Sequence, residues 1–127
     1  NFSLLYTARG AVLAPLYDAL CTAVYPRLTD KMAMKIGSKY RFTEVQASHW
    51  ERFALEAGLS PAQTKKRILG MAKRLPALAQ AQGAAWQAQG QSHPILGHIV
   101  ALVELRCSLT TRRLTQPGAA PGTVVGA

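Results

Sequence analysis

Asn1 and Asp18 bracket two apolar runs, residues 2–6 and 11–16, which are separated by Thr7-Ala8-Arg9-Gly10. That separator predicts a β-hairpin, because glycine supplies a positive-φ turn position at no steric cost. With Arg9 and Gly10 as a two-residue loop, Ala8 faces Ala11 and Asn1 faces Asp18, so an amide and a carboxylate meet at the hairpin's open end. Two readings of this pair stand open on the residues alone. Asp18 can cap a short helix over Ala19–Tyr25, which Pro26 ends, with Asn1 an ordinary turn residue. Alternatively, the two sets of oxygens form one site.

The other reactive side chains form no constellation. Cys21 and Cys107 stand far apart with no CxxC, and His49, His93 and His98 lack metal-ligand spacing, which argues against a disulfide framework and a structural zinc. The histidines read as surface or packing residues, and Trp50 and Trp86 as core anchors. No Ser-His-Asp or Cys-His arrangement supports nucleophilic catalysis. Cations are plentiful: 15 Lys and Arg against 6 Asp and Glu give a formal charge of +9, a bias towards polyanionic partners. Lys31, Lys35, Lys39 and Arg41 crowd one short span and read as a solvated face, and Lys65, Lys66, Lys73 and Arg74 crowd another.

The elements that must position these groups follow from pattern. A second hairpin is expected from Met32–Ile36 and Lys39–Phe42 around Gly37-Ser38, whose leading glycine suits a type II′ turn. From Thr43 the chain turns helical, with Thr43 and Gln46 at capping-box spacing and a stripe of Val45, Trp50, Phe53, Ala54 and Ala57. Gly58 closes that helix and Leu59 packs back on it. Ser60-Pro61-Ala62-Gln63 starts the next, which turns Thr64, Ile68, Met71, Ala72 and Leu75 inward until Pro76 ends or kinks it. Residues 77–92, rich in Ala and Gln, predict a loosely packed helix around Trp86, and Ile95–Leu114 a stronger one, with Arg112 and Arg113 complementing its dipole. The fold class is mainly α with two small β-hairpins, over residues 1–115. Residues 116–127 are expected to be a disordered tail.

A chain of 127 residues is expected to form one domain. Its longest apolar stretch, Pro94–Leu109, is interrupted by His98, Glu104 and Arg106, too short and too charged to cross a bilayer. The first residues lack the regions of a signal peptide, and a reducing cytoplasm suits the cysteine usage. Asn1 reads as an internal position of a longer protein, since an apolar run follows it at once.

Five segments occur in one order and spacing: Asn1-Phe2-Ser3-Leu4-Leu5, Leu13-Ala14-Pro15-Leu16-Tyr17-Asp18, Met32-Ala33-Met34-Lys35-Ile36-Gly37, His49-Trp50-Glu51-Arg52-Phe53-Ala54 and Ala57-Gly58-Leu59-Ser60. Together they resemble the carboxyl-terminal part of the HipA-family serine/threonine kinase toxins, over roughly residues 1–75. The resemblance implies the carboxyl-terminal lobe of a protein-kinase-like fold in a bacterial type II toxin–antitoxin system. It implies ATP and Mg²⁺ as cofactors in the intact protein, transfer of the γ-phosphate to a protein Ser or Thr, and an aminoacyl-tRNA synthetase among the substrates. The implied partners are the remainder of the kinase chain, a HipB-like helix-turn-helix antitoxin and, through it, operator DNA. Asn1 matches the metal-binding Asn of the family's catalytic loop, and Asp18 matches the Asp that replaces the one in the kinase Asp-Phe-Gly motif. The catalytic Asp, the ATP-binding Lys and the phosphate loop would precede residue 1, leaving no catalytic residue in this chain. Magnesium takes hard oxygen ligands, commonly one or two from protein, which the expected hairpin register would supply.

A rival reading comes from Phe53–Leu69, which resembles a helix-turn-helix with a basic second helix. In that reading Lys65, Lys66, Lys73 and Arg74 contact phosphates in a DNA-binding or antitoxin-docking module without catalysis. Thr64 and Arg67 occupy positions that should pack the two helices together, which argues against sequence-specific binding.

Overall fold

The computed structural model describes residues 2–116. Strands β1 (Leu4–Thr7) and β2 (Gly10–Leu13) form one antiparallel hairpin, and β3 (Lys31–Ile36) and β4 (Lys39–Arg41) a second. Helices α1 (Ala47–Glu56), α2 (Pro61–Ala88) and α3 (Pro94–Thr115) follow. This is the expected class, three helices with two small hairpins. The expected tail lies outside the described residues from 117 on, while Gln116 closes α3 by donating its N–H to the Arg112 carbonyl.

The first hairpin forms with a different register from the one expected. Leu4 pairs with Leu13 and Thr7 with Gly10, so Ala8 and Arg9 make the turn and Gly10, at φ 114°, opens the returning strand. The Thr7 side chain explains the shift. Its hydroxyl accepts from the Arg9 N–H at 3.2 Å and donates to the Gly10 carbonyl at 2.9 Å, closing the turn one residue earlier. No helix runs over Ala19–Tyr25 either. Asp18 sits in the left-handed region at φ 52°, Cys21 is non-helical, and only Thr22–Val24 form a single 3₁₀ turn, because a segment pinned between Asp18 and Pro26 is too short to repay helix nucleation.

The second hairpin turns at Gly37-Ser38 as expected, with positive φ at the leading glycine only, as a type II′ turn requires. Phe42 falls outside β4 and begins a 3₁₀ turn with Thr43 and Glu44. The capping box therefore moves from Thr43 to Gln46: its side chain accepts from the His49 N–H, and its own N–H donates to His49 Nδ1 at 2.9 Å. Val45 causes the delay. It is 2% exposed, and burying it requires an extended backbone ahead of the helix. At the other end Leu59 N–H reaches the Ala54 carbonyl and Gly58 N–H the Leu55 carbonyl, a Schellman close.

Helix α2 starts where the sequence says, with Ser60 Oγ accepting from the Gln63 N–H and Pro61 in the first position. It does not end at Pro76. One helix of 28 residues continues to Ala88. Proline there removes one hydrogen bond, to the Ala72 carbonyl, and packing against α3 along the helix outweighs that loss. The Ala- and Gln-rich half is a seam of small residues on which α3 rests: a Cβ added at Gly83 would lie 3.6 Å from Val100 Cγ2. Trp86 is 39% exposed and does not anchor the core. The core lies among the three helices and the turn before α1, and comprises Val45, Ala54, Ala72, Cys107 and Leu114. Leu114, the largest fully buried side chain, is worth roughly 1.5–3 kcal/mol.

Candidate functional site

Asp18 is placed by the first hairpin and the segment leaving it. The last rung is the Ala14 N–H to the Ser3 carbonyl at 2.8 Å, after which Pro15 cannot donate and the ladder stops. Beyond it the Tyr17 hydroxyl meets Ser3 Oγ at 2.8 Å. Asp18 comes next, in the left-handed region that glycine adopts freely and Asp and Asn more readily than other residues, and it is the one non-glycine among the described residues with positive φ. The observed register does not set Asn1 opposite Asp18. The Tyr17–Ser3 contact ties the residue before Asp18 to the foot of the hairpin. Asn1 itself lies outside the described residues. The helix-cap reading of Asp18 fails, because the first helical turn begins at Thr22, behind Cys21, with no side-chain cap.

Asp18 supplies a carboxylate, a hard oxygen ligand suited to Mg²⁺. Among the described residues, no group of three or more His, Cys, Asp or Glu could form a metal cage. A site that leaves most positions to phosphate and water needs none.

The cations of α2 form a separate surface. Lys65, Lys66, Lys73 and Arg74 are exposed, while Thr64 and Ala72 are buried against the neighbouring helices. Lys66 and Lys73 stand two turns apart on one face, and Arg67 and Arg74 likewise. None of these side chains has an ion pair among the described residues. The paired cations are Lys39 with Glu44, Arg41 with Asp30, and Arg52 with Glu56. Arg67 is exposed.

Three roles escaped the sequence pattern. Arg113 reaches across from α3 to the turn before α1, donating to the Val45 carbonyl at 2.7 Å and the Thr43 carbonyl at 2.6 Å. Partial burial and the neighbouring Arg112 lower its pKa. His49 serves as a neutral hydrogen-bond acceptor. Burial first, then Lys39, Arg113 and Arg52, hold its pKa below the ordinary range against an opposing pull from Glu44. Arg106 stacks its guanidinium over the Phe42 ring, 5.0 Å from the centroid. The Arg112-Arg113 pair was visible as a helix ending, but its tertiary target was not.

Residues 1–79 match the HipA-like C-terminal domain. The chain belongs to that family. The match includes Asp18, both hairpins, α1 and most of α2. A curated protein of Sinorhizobium fredii, named "Putative kinase Y4mE", is 45% identical over 71 residues, covering 56% of this chain and 17% of that relative. The HipA-like chain thus spans a small part of the relative's length. No solved structure matches it. None of its described helices is long and apolar enough to cross a membrane.

Proposed function

We propose that this HipA-like chain is the carboxyl-terminal portion of an ATP-dependent serine/threonine protein kinase, and that Asp18 with Asn1 holds the magnesium ion serving the nucleotide. The observation that carries the reading is Asp18 itself, a left-handed carboxylate at the mouth of the first hairpin, inside the segment shared with the family. Left-handed backbone at a non-glycine residue concentrates at sites where a side chain must be aimed. When bound, Mg²⁺ and ATP supply the transferable phosphoryl group and neutralise its charge. Asp18 would contribute the anionic ligand and Asn1 the neutral one. The base that orients the acceptor hydroxyl, the ATP-binding Lys and the phosphate loop would come from chain preceding Asn1. In this reading the intact protein is the toxin of a type II toxin–antitoxin pair, held by a HipB-like antitoxin at its operator, with a protein such as an aminoacyl-tRNA synthetase as substrate.

The test is Asp18→Asn in the intact kinase, assayed for phosphotransfer beside thermal melting. The fold should survive an isosteric amide while the rate falls by orders of magnitude, because the metal loses its charged ligand. A variant that melts like the parent and transfers phosphate comparably removes Asp18 from the site.

A second reading is favoured by the cations of α2, which have no ion pair among the described residues. Lys65, Lys66, Lys73 and Arg74 would contact phosphates of operator DNA or acidic groups of the antitoxin, with or without catalysis elsewhere.

A further inference from the structure

The loop that follows Asp18 lines an open polar cavity of about 230 Å³ together with residues 29–32 and Arg106 of α3. Its charges do not balance. Asp30 is the cavity's only acidic residue, and its Oδ1 already takes the Arg41 Nε–H at 3.1 Å. Lys31 and Arg106 remain without a carboxylate in ion-pair reach among the described residues, and Arg106 is half-buried, its head fixed over Phe42. An arginine at the wall of a polar cleft with no carboxylate in reach has its charge free to take an anion. Threonines 22 and 29 add hydroxyls to the same wall. The volume suits one side chain.

We infer that this cavity receives an anionic side chain of the acceptor protein, a carboxylate or a phosphorylated hydroxyl, with Arg106 as the residue that recognises it. The inference rests on the kinase reading for the identity of its occupant, because Ala19, the first residue of the cavity wall, directly follows the proposed metal ligand. An acceptor hydroxyl presented beside the metal would bring neighbouring residues of its own chain to this wall. Arg106 would then select acceptors that carry an acidic group close to the target Ser or Thr. A planar guanidinium already oriented by stacking on Phe42 can pair with two oxygens at once, which a lysine cannot.

Two experiments separate this inference from the reading beneath it. In the first, this chain is titrated with the methylamides of N-acetylglutamate, N-acetylphosphoserine and N-acetylglutamine, and the amide resonances of residues 19–23 and 29–32 are followed. At least one of the two anionic probes should saturate those shifts and the neutral one should not. Which of the two saturates distinguishes carboxylate from phosphate. Arg106→Gln should weaken binding about tenfold or more, the scale of a charged hydrogen bond, and Arg106→Lys should recover part of it. Equal shifts with the glutamine probe overturn the inference even if Arg106→Gln fails to fold, as does unchanged affinity in a folded Arg106→Gln. In the second, the intact kinase is given acceptor peptides with Glu or Gln beside the target hydroxyl. Arg106→Gln should raise KM for the Glu peptide alone and leave kcat. If Asp18→Asn abolishes transfer but Arg106→Gln leaves the peptide preference intact, the kinase reading stands and this inference falls. If the anionic probes bind through Arg106 while no transfer is found, the cavity stands as an anion site and its assignment to an acceptor falls.

Discussion

Replacing Arg113 with Met keeps most of the side-chain stem and removes every donor. The guanidinium makes two short charged hydrogen bonds, at 2.7 Å to the Val45 carbonyl and 2.6 Å to the Thr43 carbonyl, and a long contact of 3.5 Å to the Phe42 carbonyl that adds little. Hydrogen bonds to a charged group contribute about 1.5–3 kcal/mol each when buried. The Thr43 side is exposed, where water replaces the lost donor, and the Val45 side is partly buried, where it does so poorly. The expected loss is therefore about 2–4 kcal/mol. Arg112→Met, one residue away but exposed, should cost about 0.5 kcal/mol or less. Arg113→Lys keeps the charge but cannot fork between two carbonyls, so it should recover less than half of the loss. Urea unfolding followed by the fluorescence of half-buried Trp50 reads all three on one scale. The same variant should raise the His49 pKa, since Arg113 is one of the cations that depress it. If Arg113→Met and Arg112→Met prove equally mild, Arg113 does not tie α3 to the turn before α1.

Three further outcomes are expected. Gly37→Ala should destabilise more than Gly58→Ala, although both have positive φ, because a Cβ at Gly37 would meet the His49 carbonyl oxygen at 2.8 Å while that at Gly58 meets nothing; equal melting shifts would mean that the second hairpin does not press on α1. His49 has its pKa lowered by folding, so its contribution is present above the unfolded value of about 6.5 and is lost as pH falls from there through the lower folded value. His49→Gln should flatten that slope, and an unchanged slope would assign the acid sensitivity elsewhere. Duplex DNA should bind weakly, without sequence preference and with steep salt dependence; a preference on the order of a thousandfold for one sequence would instead favour a true helix-turn-helix.

What was legible in the sequence was local. Gly37-Ser38, the Gly58-Leu59 ending and the Ser60-Pro61-Ala62-Gln63 start each hold their whole physical cause within a few residues, and each is found where expected. The departures have causes at a distance or in side chains with more than one option. Pro76 sits within a helix because α3 packs alongside. The start of α1 moved because Val45 is buried and Arg113, remote in sequence, holds the carbonyls of the preceding turn. In the first hairpin, glycine suggests the loop position, but the Thr7 hydroxyl closes the turn one residue earlier. Asn1 and Asp18 stand out in the sequence only as family positions, and the Tyr17–Ser3 contact beside Asp18 is one that no periodicity announces.

The placement of Asp18 has an energetic consequence for the proposed kinase. The helices supply nearly all of the burial, while Leu4, Leu5, Tyr6, Val12 and Leu13 of the first hairpin are exposed, and among the described residues no third strand joins the two. A two-stranded hairpin of this kind is marginal in water. Exposed apolar side chains on both of its faces are surface that another part of a larger fold would cover. The proposed metal ligand thus follows closely on a hairpin that is marginal by itself, and in the proposed site its affinity for metal would be reduced by whatever fraction of the time the hairpin is open. Chain that packed on the hairpin would order it and raise that affinity without touching the metal. In the kinase proposed here, the lobe that brings the nucleotide would then also complete the metal site, coupling assembly of the fold to phosphoryl transfer through the stability of one small hairpin.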